Sequence, residues 1–98
     1  MIVAVGIHHP KGPRERAAVL EDMKRFGIEQ RKHKGLLMVT AVKDETGGFL
    51  IGMAMWDTRE DFLAARKKLA RTFRHSVDFE VVEDREVQFL YGKPVFWG

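Results

Sequence analysis

The sequence predicts an α+β fold of order β-α-β-β-α-β, an antiparallel sheet with two helices on one face. Three patterns predict it. Short runs rich in Val, Ile and Met at residues 2–7, 36–42 and 49–56 are bounded by turn-forming Gly, Pro and Asp. Residues 14–34 and 58–74 carry apolar side chains at helical spacing. Finally, apolar and polar residues alternate over "VDFEVVEDREVQFLY".

Each element has a local reason. Ile2 to Ile7 is a β-branched run closed by "HHPKGP". Pro13 suits the first turn of the helix that follows, where its missing N–H is not needed. On that helix Val19, Leu20, Met23, Phe26 and Gly27 fall on one side, while Glu15, Asp22, Lys24 and Glu29 fall mostly elsewhere. "RKHK" reads as its last turn, where cations suit the dipole, and Gly35 as its breaker. "LLMVTAV" and "FLIGMAMW" are strands joined across "KDETGG" as an antiparallel hairpin. Thr58 is an N-cap for the second helix, with Glu60 and Asp61 at its positive end, and the helix runs to Phe73 or Arg74. Phe79, Val81, Val87, Phe89 and Tyr91 then read as one or two strand pieces with a bend near "EDRE". The order is the ferredoxin-like split unit.

Bulk properties bound the function. A chain of 98 residues suits one domain, 1–98. Hydrophobic residues at 45% and charged residues at 32% are a globular balance. Without cysteine there is no disulfide framework and no thiolate metal site, and a reducing cytoplasm is the expected setting. The N-terminus lacks the basic leader of a signal peptide, and no apolar run approaches a membrane span. The net charge of +3 comes from bases interleaved with acids, as on a solvated helix face, so no nucleic-acid partner is expected.

The strands are apolar on both faces. Val3, Val5 and Ile7 oppose Ile2, Ala4 and Gly6; Phe49, Ile51, Met53 and Met55 oppose Leu50, Gly52, Ala54 and Trp56. Helices cover one face of such a sheet, and the chain has no element left for the other. A second copy packed sheet to sheet is the economical cover, and the apolar tail Val95, Phe96 and Trp97 agrees with a homodimer.

The element order, the two-faced sheet, the junction "MWDTREDF" and the segment "KHKGLLMVTAV" resemble the antibiotic-biosynthesis monooxygenase-like family of dimeric α+β barrels. Its strand three commonly ends in an aromatic followed by a small or acidic residue, a cap, acids and Phe, here Trp56, Asp57, Thr58, Glu60, Asp61 and Phe62. The resemblance spans residues 2–91. It implies a cofactor-free monooxygenase acting on a phenolic or quinol-like molecule, or a haem-binding relative. The haem-degrading members use an Asn on strand one, a Trp on helix two and a His near that helix's end. Here His75 matches the last, Ala65 replaces the Trp, and Gly6, Ile7 and His8 occupy the region of the Asn. No cofactor is therefore expected, with haem the one candidate that the resemblance brings.

Several residues carry alternative readings. Arg66 falls in the apolar stripe with Phe62, Leu69 and Phe73. Its head either snorkels to water or sits in a cavity as an oxyanion partner. His8 and His9 point to opposite strand faces and cannot chelate one ion, so no metal site is expected; one of them is a candidate general base. His75 is a helix-end cation or, by the resemblance, a catalytic residue. Trp56, Phe62, Tyr91 and Met53, with Met38 and Met55, are core or substrate-pocket wall. The sequence has no Ser-His-Asp order, glycine-rich phosphate loop or HExxH. The expected function is a monooxygenase-like oxidoreductase with a small-molecule pocket between helices and sheet; the alternative is a non-catalytic small-molecule or haem-binding homodimer.

Overall fold

The computed structural model describes residues 1–96. The elements are β1 (Ile2–His8), α1 (Pro13–Gln30), β2 (Leu36–Lys43), β3 (Leu50–Trp56), α2 (Arg59–Thr72), α3 (Phe79–Val82) and β4 (Gln88–Gly92). The strands form one antiparallel sheet in the order β2-β3-β1-β4. β3 is inserted between β1 and β2, the split arrangement expected of this element order.

Register decides which side chains meet the helices. Ile2, Ala4, Gly6 and His8 of β1 stand opposite Trp56, Ala54, Gly52 and Leu50 of β3. Ile2, Ala4, Leu50, Ala54 and Trp56 of this set are buried, and α1 and α2 lie over it. Phe62 and Ala65 of α2 complete the core with Ile2, Ala4, Ala54 and Trp56, while Leu36 and Val39 pack on its edge. The Trp56 and Phe62 ring centroids are 6.2 Å apart, and Phe62 lies 4.8 Å from Tyr91 on β4. Full burial of a side chain such as Phe62 contributes about 1.5–3 kcal/mol.

The other sheet face carries Val3, Val5 and Ile7, with Met53, Met55, Val42 and Leu90 beside them in register. Val42 and Leu90 are exposed, as are Val95 and Phe96 beyond β4. Trp97 lies outside the described residues.

Two expectations are corrected. "RKHK" is not the last helical turn: α1 ends at Gln30, and residues 31–34 form a turn closed by the Lys32 N–H on Glu29 O and the His33 N–H on Gln30 O. The alternating stretch after residue 77 is not strand until Gln88. Residues 79–82 make one helical turn, because the Asp78 side chain accepts from the Glu80 N–H at 3.0 Å and caps it. The chain then runs beside the exit of β1, with the Lys11 N–H on Val82 O and the Asp84 N–H on His9 O.

Two local devices are open to test. Thr58 Oγ1 accepts from the Asp61 N–H at 3.0 Å, so Thr58→Ala is expected to lose about 1 kcal/mol in urea denaturation. Gly35 has φ +89°, its carbonyl accepts from the Asp57 N–H, and a Cβ there would collide with the Asp61 side chain. Gly35→Ala is therefore expected to lose more than about 1 kcal/mol in the same measurement.

Candidate active site

A cavity of about 740 Å³ lies between the helices and the sheet. Its origin is a lack of side-chain volume. Gly6 faces Gly52 across the two central strands, and Ala4 faces Ala54 beside them. The cavity floor is backbone where other sheets place Val or Ile. A Cβ on Gly52 would lie 3.3 Å from Met23 Cε, and one on Gly6 would lie 3.8 Å from His8 Nε2. The roof is supplied by Met23, Phe26 and Gly27 of α1 and by Phe62, Arg66 and Leu69 of α2.

Two carboxylate–imidazole pairs border this cavity. His8, the last residue of β1, holds Glu83 through Nδ1 at 2.6 Å. The other Glu83 oxygen accepts from the His9 N–H at 2.7 Å. The Glu83 side chain has no exposed surface and that of His8 only 12%. His75, just past α2, holds Asp22 of α1 through Nδ1 at 2.7 Å. The second Asp22 oxygen accepts from the Ser76 N–H at 2.6 Å and from Ser76 Oγ at 3.0 Å. The Asp22 side chain is 1% exposed and that of His75 44%. A carboxylate only accepts, so each Nδ1 is the N–H; in the neutral imidazole Nε2 then carries the lone pair. His8 Nε2 hangs over the glycine floor, while His75 opens to solvent at the rim. Phe79 stands between them, its centroid 5.2 Å from the His8 ring and 5.0 Å from the His75 ring.

Burial pushes the Asp22 carboxyl up, but the Ser76 N–H, the His75 hydrogen bond and charge, and the Ser76 hydroxyl outweigh it. The net effect holds Asp22 below its ordinary value of 3.8.

The residues singled out in the sequence are divided by the structure. His8, His75, Arg66, Trp56, Phe62 and Met53 border the cavity. Met53, however, stands opposite Val5 and Thr40, a register position of the other sheet face. Tyr91 does not border it; it backs Phe62 and Arg66 instead. Met38 and Met55 pair with each other away from it. The Arg66 residue is exposed, yet its guanidinium is held over Phe89 at 4.8 Å and Tyr91 at 5.6 Å, at the cavity rim. His9 packs on Phe49 at 6.0 Å.

Asp22, Glu83, Phe79 and the Gly6–Gly52 pair were not singled out as site residues. Asp22 was placed among the polar positions of α1 and is buried instead. It had a signal, because it follows Val19 by three residues and precedes Phe26 by four, which puts it at the edge of the apolar side. The acid beside His8 is Glu83, 75 residues away in sequence.

No protein-family model matches the chain, and no curated protein does. Solved structures do. Rv0793 of Mycobacterium tuberculosis matches with a TM-score of 0.77 at 15% identity, over 98% of this chain and 96% of that one. The fold is that of the antibiotic-biosynthesis monooxygenases. SnoaB of Streptomyces nogalater, a cofactor-independent oxygenase, matches with a TM-score of 0.75 at 11% identity, over 98% and 94% of the two chains. The ActVA-Orf6 monooxygenase of Streptomyces coelicolor, solved with nanaomycin D, matches with a TM-score of 0.72 at 16% identity, over 98% and 88%.

Asp22 gives a pH prediction. Its folded carboxyl value is depressed, so its stabilisation is full above the ordinary value and is lost as pH falls through the lower folded one. Wild type is expected to be more stable than Asp22→Asn at pH 7 by about 1.5–3 kcal/mol, the range for hydrogen bonds to a charged group. The gap is expected to narrow on acidification below about pH 4, followed by denaturation midpoints across pH.

Proposed function

We propose that this chain is a small oxidoreductase of the monooxygenase type, needing no cofactor, which oxidises a phenolic or quinol-like molecule with O₂ in the cavity between helices and sheet. One observation carries the reading: an imidazole backed by a buried carboxylate, His8 with Glu83, opens onto an apolar cavity over a side-chain-free floor. The naming of structural neighbours as oxygenases supports it.

The chemistry follows from the geometry. The substrate ring would lie over the backbone of Gly6 and Gly52, with Met23, whose Cε a Cβ on Gly52 would meet at 3.3 Å, moving aside. His8 Nε2 takes the proton of its hydroxyl, and Glu83 stabilises the imidazolium that forms. Arg66, at the rim, is the cation that balances the phenolate oxygen. The phenolate is itself the reductant, so no flavin or metal is required. Where the ring carries an activated CH₂, O₂ converts it to C=O: one oxygen atom stays in the product, and the other leaves as water with the two hydrogens. Trp56 and Phe62 are walls of the substrate site. We assign the second sheet face to another copy of the chain, giving a homodimer working in the cytoplasm.

Oxygen uptake with a panel of quinols and phenols tests the reading. Wild type is expected to consume O₂ with at least one of them, and His8→Ala to lower kcat by roughly 10²-fold or more. Gly52→Leu, which fills the floor, is expected to raise KM. Binding without uptake would replace the reading by a carrier, and a haem absorption shift without uptake by a haem-binding module. A dimeric mass in solution is expected; a monomer would overturn the assignment of the second face.

A further inference from the structure

Oxygenation as described uses one of the two carboxylate–imidazole pairs. The other, His75 with Asp22, borders the same cavity and is equally well fixed. Its carboxylate is buried and has both oxygens engaged, by His75 on one and by Ser76 and Arg25 Nη1, 3.4 Å away, on the other. Rings pack around the imidazole: Phe73 and Phe79 at 5.0 Å and Phe26 at 5.8 Å. A cation serving only the end of α2 needs no buried partner on α1. The two imidazoles also differ in access. His8 keeps only 12% of its side chain exposed, while His75 keeps 44% of its own in solvent. One is suited to take a proton inside the cavity, the other to bring one in from water. Among the described residues, the other ionisable groups on the cavity, Lys24, Arg31 and Arg66, make no hydrogen bond to either imidazole.

We propose that the cavity has a second, oxygen-independent activity: keto–enol interconversion of a ketone whose acidified C–H lies between its carbonyl and an aromatic ring, with His8 as base and His75 as proton donor. The C–H bond beside the carbonyl breaks and its proton goes to His8 Nε2. The electron pair moves into the new C=C bond, and the carbonyl oxygen takes a proton from the protonated His75 at Nε2. On return the enol O–H gives its proton back to His75, and His8, its proton exchanged with water, returns one to carbon, which restores both imidazoles. Nothing is oxidised, and no co-reactant is consumed. Glu83 and Asp22 are positioning residues, each holding Nδ1 of its imidazole and leaving Nε2 free for the ligand. The inference rests on the same cavity as the proposed oxygenation but not on its reaction with O₂.

The test is solvent deuterium exchange into β-tetralone under argon, followed by NMR, with the whole protein. Wild type is expected to exchange the benzylic CH₂ faster than buffer, with a bell-shaped pH profile reporting one base and one acid. His8→Gln is expected to remove the acceleration. His75→Gln, which spares the buried carboxylate and its Ser76 bonds, is expected to lower the rate roughly 10²-fold and to remove one limb of the profile. Circular dichroism establishes that both variants fold. No exchange above buffer in wild type, or a His75→Gln variant with unchanged rate and profile, would overturn the inference. Oxygen uptake on quinols by the same preparation separates the two readings: uptake without exchange sinks this one alone, and exchange without uptake sinks the oxygenase reading alone.

Discussion

At the centre of the sheet, Gly6 and Gly52 meet across β1 and β3, and no side chain rises from either toward the helices. Protein interiors close to crystal-like density when they can. Here they cannot, because α1 and α2 are held at the height set by the larger residues around the glycines: Ile2, Trp56 and Phe62 at one end, Leu50 and Val19 at the other. The volume left below the helices is the cavity. Every proposed chemical feature, from the reach of His8 Nε2 to the rim position of Arg66, depends on that missing volume.

The same arrangement explains how a small domain buries two carboxylates. Each is fully occupied: Glu83 by the His8 imidazole and the His9 N–H, Asp22 by His75, by Ser76 twice and by Arg25. An unpaired buried carboxylate would be strongly destabilising. Here each one is paired and also fixes Nδ1 of its imidazole as the N–H.

Much of the architecture was legible in the chain. Strand and helix periods located β1, β2, β3 and α2 to within a residue or two, and Thr58 marked its cap. Less of the site was legible, for a physical reason. His8 and His75 could be singled out, but their partners are 75 and 53 residues away, and only the folded topology brings them together. The stretch 77–83 misled because its period-two alternation fits a strand, whereas the Asp78 cap and the pull of Glu83 toward His8 and His9 make it a turn of helix. The helical period puts Arg66 in the apolar stripe, whereas the buried positions of α2 are Phe62, Ala65 and Leu69; Arg66 is exposed, over Phe89 and Tyr91 of β4, rings that the helix pattern alone does not contain.

The connection from α2 to β4 is fastened in opposite senses at its two ends. At Ser76 the connection donates to a carboxylate of the body, and at Glu83 it offers a carboxylate to donors of the body. Surface connections of this kind ordinarily accept inserted or deleted residues with little loss. This one has a fixed gauge. A residue added or removed between Ser76 and Glu83 would leave one of the two acids buried without its donors, so the stretch is a ruler rather than a tether.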